Sequence, residues 1–469
     1  MGEPRARQRK FAPRSRQGCL TCRARRKRCD QQRPECQNCT RLNVKCEWQT
    51  QRQIIVNQET PSSPTQSSST SSDLVPSLHS PLQPWDSLPG NSDAERKHLL
   101  SYYIEAFVPS ISVATTPSSF YTSLYIPMAF ESEGILDAII ALSSAQLAKR
   151  TTDSDRANYL QALSAKHQVK CHSFLRHRIS SPGKTSTDFY QVIGILLLLV
   201  GLECLLGSKH TKWLHQMRCA RNLLKTLALH HNNIASWEVE SLHRHFTYHD
   251  MMASVMPKTE PTRLDDGDIA LPPSALLLGQ TIDPLMGISY NLCSLICRIQ
   301  YVTSPDPAFP HVSEAAFDAI ERDIMQWQYE SPLSSPCIDL PVGLDLIALA
   351  EAYRLAALIQ LYRTSEKHKV LVPACAARAL QFIARIPPGS PAESSMLYPV
   401  FLAGAELEDE TQIASCFQRL STVQERNYYE NVGMVQEVLK EVWRPALNGE
   451  KKRDWEDVLK EWQWSFSLG

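Results

Sequence analysis

The chain has 469 residues, 43% of them hydrophobic and 21% charged, which excludes a wholly disordered protein and leaves room for two or three domains. Its 49 basic and 49 acidic residues cancel overall. The charge is unevenly spread, however: residues 1–50 hold 14 Lys or Arg against 4 Asp or Glu, whereas the remainder holds 35 against 45. A basic amino-terminal part on an acidic body predicts a polyanion partner for that part.

The first residues, "MGEPRARQRKFAPRSRQ", contain no apolar run and therefore do not resemble a secretory signal. We expect an intracellular protein whose thiols stay reduced. Six of the fourteen cysteines then fall within 28 residues, in the spacing C-x2-C-x6-C written twice. They are Cys19, Cys22, Cys29, Cys36, Cys39 and Cys46.

This cysteine-rich segment has too few apolar residues to fold around a core of its own. Ordering its backbone costs ~1–2 kcal/mol per residue, so either disulfides or a metal must hold it. Reduced thiols favour a metal, and structural zinc contributes ~10–16 kcal/mol to folding. Two tetrahedral zinc ions need eight bonds, which six thiolates supply if two of them bridge both ions. We therefore predict two zinc ions bound by all six cysteines.

The runs "CLTCRARRKRCD", "RPEC" and "QNCTRLNVKC" resemble the fungal binuclear zinc cluster DNA-binding domain. The resemblance implies that the first cysteine of each half, Cys19 and Cys36, bridges the two ions, and that Pro34 is the family's loop proline. We assign residues 17–48 to this domain and residues 1–16 to a basic amino-terminal tail.

The first helix of such a domain enters the major groove of double-stranded promoter DNA. The family places a base-contacting lysine at the position that Arg26 occupies here, and arginine also pairs with both acceptors of guanine. We therefore expect CGG-like half-sites, with Lys27 as the neighbouring candidate and the other basic residues on the DNA backbone. The predicted DNA-contacting residues are Arg14, Arg16, Arg23, Arg25, Arg26, Lys27, Arg41 and Lys45.

Residues 49–92 are predicted to be a Ser/Pro-rich disordered linker, since Thr60–Pro81 alone holds nine Ser, three Thr and four Pro. The residues just after the cluster lack heptads, so the family's usual coiled-coil dimer is not expected. Binding as a monomer, as a homodimer through the large domain, or with other transcription regulators stays open.

Residues 93–469 are predicted to form one large all-α domain, because apolar residues recur at helical spacing in Ile135–Arg150, Leu344–Arg363, Val435–Trp443 and Trp455–Trp464. The apolar run Val192–Gly207 is shorter than a membrane span and contains Glu203, so we predict a buried helix and no membrane partner. "LLSYYIEAFVPSIS", "LLLVGLECLLGSKHTKWLHQMRCARNLL" and "VWRPALNGEKKRDWEDVLKEW" resemble the fungal-specific transcription factor domain of the second type. That resemblance implies an all-α regulatory domain.

Two other groups of potential ligands lie in this domain. His243, His245 and His249 have metal-ligand spacing, but we interpret them as helical surface residues. Cys293 and Cys297 lie one helical turn apart and are interpreted as buried core thiols.

The chain carries no G-x-G glycine loop and no G-x-S-x-G elbow, and no enzymatic activity is predicted. The prediction is a nuclear, sequence-specific regulator of transcription by RNA polymerase II, with the runs "RARQRK" and "RRKR" as import signals. The family suggests control of a metabolic or secondary-metabolite gene cluster. The alternative is a thiolate metal-binding or redox-sensing protein without DNA specificity.

Overall fold

The chain separates into two compact units, Met1–Leu78 and His79–Gly469, each of which is described by itself. The computed structural model describes residues 19, 22, 29–30, 32, 36–40, 94–113, 120–180, 186–230, 237–253, 255–256, 280–283, 286–303, 314–335, 338–444 and 452–469. The predicted basic tail 1–16 and linker 49–92 lie outside these residues, and their boundaries stay predictions.

The second unit is built from α-helices, and its described part contains only isolated β-bridges and no extended strand. The helices of eight or more residues are α1 Ala94–Tyr102, α2 Phe120–Glu131, α3 Glu133–Arg150, α4 Ser154–Ser180, α5 Ser186–Leu206, α6 Lys212–His230, α7 Trp237–Ala253, α8 Tyr290–Thr303, α9 Glu314–Met325, α10 Leu340–Tyr362, α11 Val372–Ile383, α12 Leu397–Gly404, α13 Glu410–Asn427, α14 Glu430–Val442 and α15 Trp455–Trp462. After α1 the chain continues as a π-helical turn, Tyr103–Phe107, and a short helix, Val108–Ile111.

Local sequence signals set several of these helix ends. Asp409 caps α13 by accepting a hydrogen bond from the Gln412 N–H, and Asp454 does the same for α15 through the Glu456 N–H. α13 ends at Tyr428, whose φ of 62° lies in the left-handed region that stops a helix. The predicted all-α fold is therefore confirmed.

The core of this unit surrounds α5, the helix that contains the long apolar run. α5 packs against α3 and α6 and is long and apolar enough to cross a membrane, but most of that length is buried inside the unit. Its buried acid, Glu203, is paired with Lys212 and Ser208. The carboxyl-terminal residues close over the same region, where the Trp213 Nε1 donates to the Ser465 carbonyl oxygen at 3.2 Å. α5 thus behaves as a core helix, as predicted.

Candidate zinc centre and nucleic-acid interface

Five of the six predicted zinc ligands belong to the described part of the first unit, and all five are buried among one another. They are Cys19, Cys22, Cys29, Cys36 and Cys39. Cys46 lies outside the described residues. All three cysteines of the first C-x2-C-x6-C motif and the first two of the second therefore lie together, as the repeated spacing predicts.

Four of these sulfurs form a compact group. The Cys36 Sγ lies 3.7 Å from the Cys19 Sγ and 3.6 Å from the Cys22 Sγ. The Cys39 Sγ lies 3.8 Å from Cys19 and 3.9 Å from Cys22. A tetrahedron with Zn–S bonds of ~2.3 Å has sulfur–sulfur edges of about 3.8 Å. The donor set and its spacing thus fit a zinc ion.

A second candidate group shares a member with the first. Cys29, Asp30 and Cys36 bring their ligand atoms within 4.8 Å of one another, so Cys36 belongs to both groups. A ligand common to two groups is what a bridging thiolate requires. The sulfurs of the predicted bridging pair, Cys19 and Cys36, lie 3.7 Å apart, close enough for both to bind the same two ions. The Cys22 and Cys39 sulfurs lie 3.9 Å apart, which is closer than two ligands of different ions need to be.

Backbone geometry holds the second half of the motif in place. The short helix Gln37–Thr40 begins after Cys36, and the Cys39 N–H donates to the Cys36 carbonyl oxygen at 2.9 Å. The Asp30 carboxylate accepts a hydrogen bond from the Gln37 N–H at 2.9 Å and so ties the first half to this helix start. The sequence alone does not point to Asp30, whose one local signal is its position directly after the third cysteine, Cys29.

The thiols of this cluster differ in pKa. Burial acts to raise the pKa of Cys36, but hydrogen bonds from the Cys39 backbone and from the neighbouring thiols outweigh it and lower the pKa to about 6. Burial raises the pKa of Cys22, helped by its hydrogen bond to Cys36. A thiol that ionises readily suits the thiolate ligation that zinc requires.

The predicted DNA-contacting side chains all lie outside the described residues, so their assignment stays a prediction. They are Arg14, Arg16, Arg23, Arg25, Arg26, Lys27, Arg41 and Lys45. Cys22 and Cys29, which flank the first basic segment, are described and buried, so both ends of that segment are anchored in the sulfur cluster.

The histidine group in α7 corrects one interpretation. His243, His245 and His249 lie on a helix, but they are buried and not at the surface. Burial lowers the pKa of His249 to about 4 and that of His245 well below its usual range, so both are neutral and suited to a core. The Tyr125 hydroxyl lies 2.6 Å from the His245 Nδ1 and supplies a partner that local sequence could not reveal.

The predicted core thiols Cys293 and Cys297 are confirmed. Both are buried, and the Cys293 Sγ contacts the sulfurs of Met251 and Met286 at 3.3 and 3.4 Å. Burial raises the pKa of both thiols well above the usual value, so they stay protonated and unreactive.

Comparison with known families gives two matches. The "Fungal Zn(2)-Cys(6) binuclear cluster domain" matches residues 17–54, and the "Fungal specific transcription factor domain" matches residues 98–469. One match lies in each of the two units. No solved structure matches it.

Curated relatives agree with these matches. The transcriptional activator protein UGA3 of Saccharomyces cerevisiae is 26% identical over 238 residues, which is 45% of this chain and 44% of that protein. The zinc cluster transcription factor CZF1 of Candida albicans is 63% identical over 35 residues, 8% of this chain and 9% of its own length. The chain thus aligns with less than half the length of these two relatives. A transcriptional regulatory protein of Schizosaccharomyces pombe is 21% identical over 97% of both chains.

Proposed function

Because this chain belongs to the fungal-specific transcription factor family and carries the family's Zn(2)-Cys(6) binuclear cluster, we propose that it reads CGG-like half-sites in promoter DNA. The membership itself confirms the predicted class, a DNA-binding transcription regulator with two zinc ions whose relatives are transcription factors and not enzymes. The finer assignments below are proposals about this chain's own residues.

All six cysteines hold the two ions, with Cys19 and Cys36 shared between them. The observation that carries this proposal is the buried group of four sulfurs, which lie 3.6–3.9 Å apart. One of its members, Cys36, also belongs to the second candidate ligand set with Cys29 and Asp30. Bound zinc supplies the folding free energy that the few apolar residues of the segment cannot. Every thiolate is then used, and no coordination position is left open for catalysis.

Arg26 is the base-reading residue, and the remaining basic residues position the domain. Cys22 and Cys29 fix the two ends of the segment that carries Arg26, which gives a short basic helix the rigidity to enter a major groove. Arg26 bonds guanine O6 and N7, with Lys27 beside it. Arg14, Arg16, Arg23, Arg25, Arg41 and Lys45 neutralise phosphates.

The place of action is the nucleus, and the regulated genes belong to a metabolic or secondary-metabolite cluster. The basic runs around the cluster support import, and the relatives' names as transcription factors support the compartment. The protein binds its site as a monomer or pairs through the helical unit, since the sequence after the cluster lacks heptads.

Fluorescence anisotropy with the zinc-loaded full chain tests the DNA proposal. We expect tight binding to a CGG-containing duplex, weaker binding to a scrambled duplex, and a slope of log K against log salt near ~−4 to −5. Arg26→Ala is expected to cost about 1–3 kcal/mol on the CGG duplex only. The matched control Arg41→Ala is expected to weaken both duplexes equally.

Two results would count against this function. Equal loss of affinity for both duplexes in Arg26→Ala would remove the base-contact assignment. Variable zinc content together with no preference between the duplexes would favour the thiolate metal-binding or redox-sensing alternative.

A further inference from the structure

Two helices of the helical unit carry many basic residues and no acid. Residues 94–469 hold 34 Lys or Arg against 41 Asp or Glu, so this part of the chain is acidic as a whole. Residues 157–180, which form most of α4, and the whole of α6, Lys212–His230, nevertheless hold eight Lys or Arg and no Asp or Glu. Positive charge is therefore concentrated in these two helices.

α4 has a buried side and a basic, exposed side. Its buried side chains recur every three or four residues and are Leu160, Ser164, His167, Cys171 and Leu175. On the solvent side, Lys166, Lys170, Ser173 and His177 form a row with the same helical spacing, and all four are exposed. Arg176 lies next to this row and is exposed too. We call these five exposed residues the basic face of α4; it is ~16 Å long.

The acids around the basic face leave most of its charge uncompensated. Lys170 lies 3.9 Å from the Asp137 carboxylate, and no described acid forms an ion pair with Lys166 or Arg176. The neighbouring acids pair with other residues: Asp137 with Arg96 and His167, Asp188 with Arg178, and Glu203 with Lys212. The basic face therefore offers its charge to a molecule from outside.

α6 adds positive charge beside the carboxyl-terminal half of α4. Lys212, the first residue of α6, is exposed. Burial lowers the pKa of the half-buried His172 of α4, and the charges of Lys212 and Arg176 lower it further, against the opposite effect of Glu203. Cations from both helices thus act on one point, so the positive region extends from α4 onto α6.

The side chains of the basic face suit a phosphate backbone. Lysine, arginine, serine and histidine all donate hydrogen bonds, which phosphate oxygens accept. One strand of double-stranded DNA carries a phosphate about every 3.4 Å along the helix axis. The ~16 Å row is therefore long enough to follow about five phosphates of one strand.

Two other classes of polyanion partner suit α4 less well. An acidic amphipathic helix places its apolar face in a hydrophobic groove, and a membrane-surface helix exposes a wide apolar face beside its cations. Every residue of α4 is described, and between Tyr159 and Ile179 only Val169 is a large exposed hydrophobic residue. The basic face thus offers charge without the apolar surface that either partner requires.

We propose that the basic face of α4 binds the phosphate backbone of double-stranded DNA as a second contact without sequence preference. The inference rests on the DNA-binding function of the chain, but not on Arg26 or on CGG as the sequence that is read. Because both units belong to one chain, DNA bound by the zinc cluster is at a high effective concentration for the helical unit. A few phosphate contacts then strengthen binding, although each is weak alone.

Fluorescence anisotropy of the zinc-loaded full chain tests this inference with two duplexes. A short duplex holds only the CGG-like site, and a long duplex adds flanking DNA on both sides. We expect the long duplex to bind more tightly and to show a steeper fall of log K with log salt. The triple variant Lys166→Gln, Lys170→Gln and Arg176→Gln should make that slope shallower by about 2–3, since each phosphate contact contributes ~0.9. Binding of the short duplex should not change.

Two further variants make the test specific to this face. The matched control Lys367→Gln, Arg378→Gln and Arg385→Gln removes the same charge from exposed positions outside α4 and α6, and should leave both duplexes unchanged. Val169→Glu keeps every cation but adds a carboxylate at a position that is 65% exposed, so it should also weaken the long duplex. An unchanged long-duplex slope in both basic-face variants overturns the inference, as does an equal loss of slope in the matched control.

A long duplex of scrambled sequence separates this inference from the proposed CGG reading. The absence of a CGG preference in the native chain contradicts the proposed reading, whereas the basic-face variants should still weaken the scrambled long duplex. A clear CGG preference together with unchanged binding of both long duplexes by the basic-face variants contradicts the inference alone.

Discussion

The sulfur cluster and the core of the helical unit both consist of buried side chains, but different interactions stabilise them. In the first unit the described buried apolar residues are five cysteines that contact one another. In the second, leucines, isoleucines, tyrosines and phenylalanines from helices along the whole unit form one large core. The first arrangement needs a metal to be stable, whereas the second is stabilised by the removal of apolar surface from water. The two units should therefore respond to different perturbations.

Loss of a thiolate that we propose to bridge the two ions should produce the largest difference between the responses of the two units. Cys36→Ser is expected to remove most of the ~10–16 kcal/mol that zinc contributes to the first unit, and with it specific DNA binding. The helical unit keeps its own core, so its urea midpoint should not change. Zinc analysis, DNA anisotropy and far-ultraviolet circular dichroism measure the three quantities.

Cys375→Ser is the matched control for that variant, because Cys375 is a half-buried thiol in α11 of the helical unit. It should retain two zinc ions per chain and full DNA affinity. A parallel loss of helical stability in Cys36→Ser would show that the two units are not independently stabilised.

Acid should act on the helical unit through its buried histidines. Burial lowers the pKa of His243 to about 4, below the ~6.5 of an unfolded histidine. Only the unfolded state takes up a proton between these values, so stability is fully present above pH ~6.5 and is lost as pH falls towards 4. One such histidine contributes about 3 kcal/mol across that window.

Urea midpoints from neutral pH down to pH 4 measure this effect. His243→Leu should show a shallower decline than the native chain, because one of the groups that bind protons only on unfolding is gone. His215→Gln is the control, because it removes a histidine at an exposed position and leaves the buried core intact. Identical pH profiles for the native chain and His243→Leu would contradict the prediction.

The sequence predicts those features that depend on residues close together in the chain. The zinc ligands follow from a spacing repeated within 28 residues, and α3, α10 and α15 follow from apolar residues at helical intervals. The burial of His245 was missed because its partner, Tyr125, lies 120 residues away. Without knowledge of that partner, the polar side chains of residues 243–250 are interpreted as exposed to solvent.

A cavity of ≈ 90 Å³ in the helical unit, whose lining residues include Tyr103, His249 and Asn431, was missed for the same reason. Tyr103, His249 and Asn431 come from distant helices, and no local pattern relates them. One signal was present in the sequence: Gly201 interrupts the most apolar run of the chain, where a helix would be more stable with alanine. A glycine inside a buried helix indicates either close packing or open space, and only the three-dimensional arrangement distinguishes the two.

The smallest predicted effect concerns the two glycines of α5, Gly194 and Gly201. Replacing each with alanine distinguishes close packing from open space within the helical unit. Gly201→Ala should raise stability by about 0.5–1 kcal/mol, because alanine restricts the unfolded chain and its methyl group meets no atom within 4 Å. Gly194→Ala gains the same entropy but presses on Ile135 and Met128 at 3.0 and 3.2 Å, so overpacking should offset the gain. Urea unfolding at constant pH measures both. Equal stabilisation by the two substitutions would mean that the space beside Gly201 is no more open than the packed contact at Gly194.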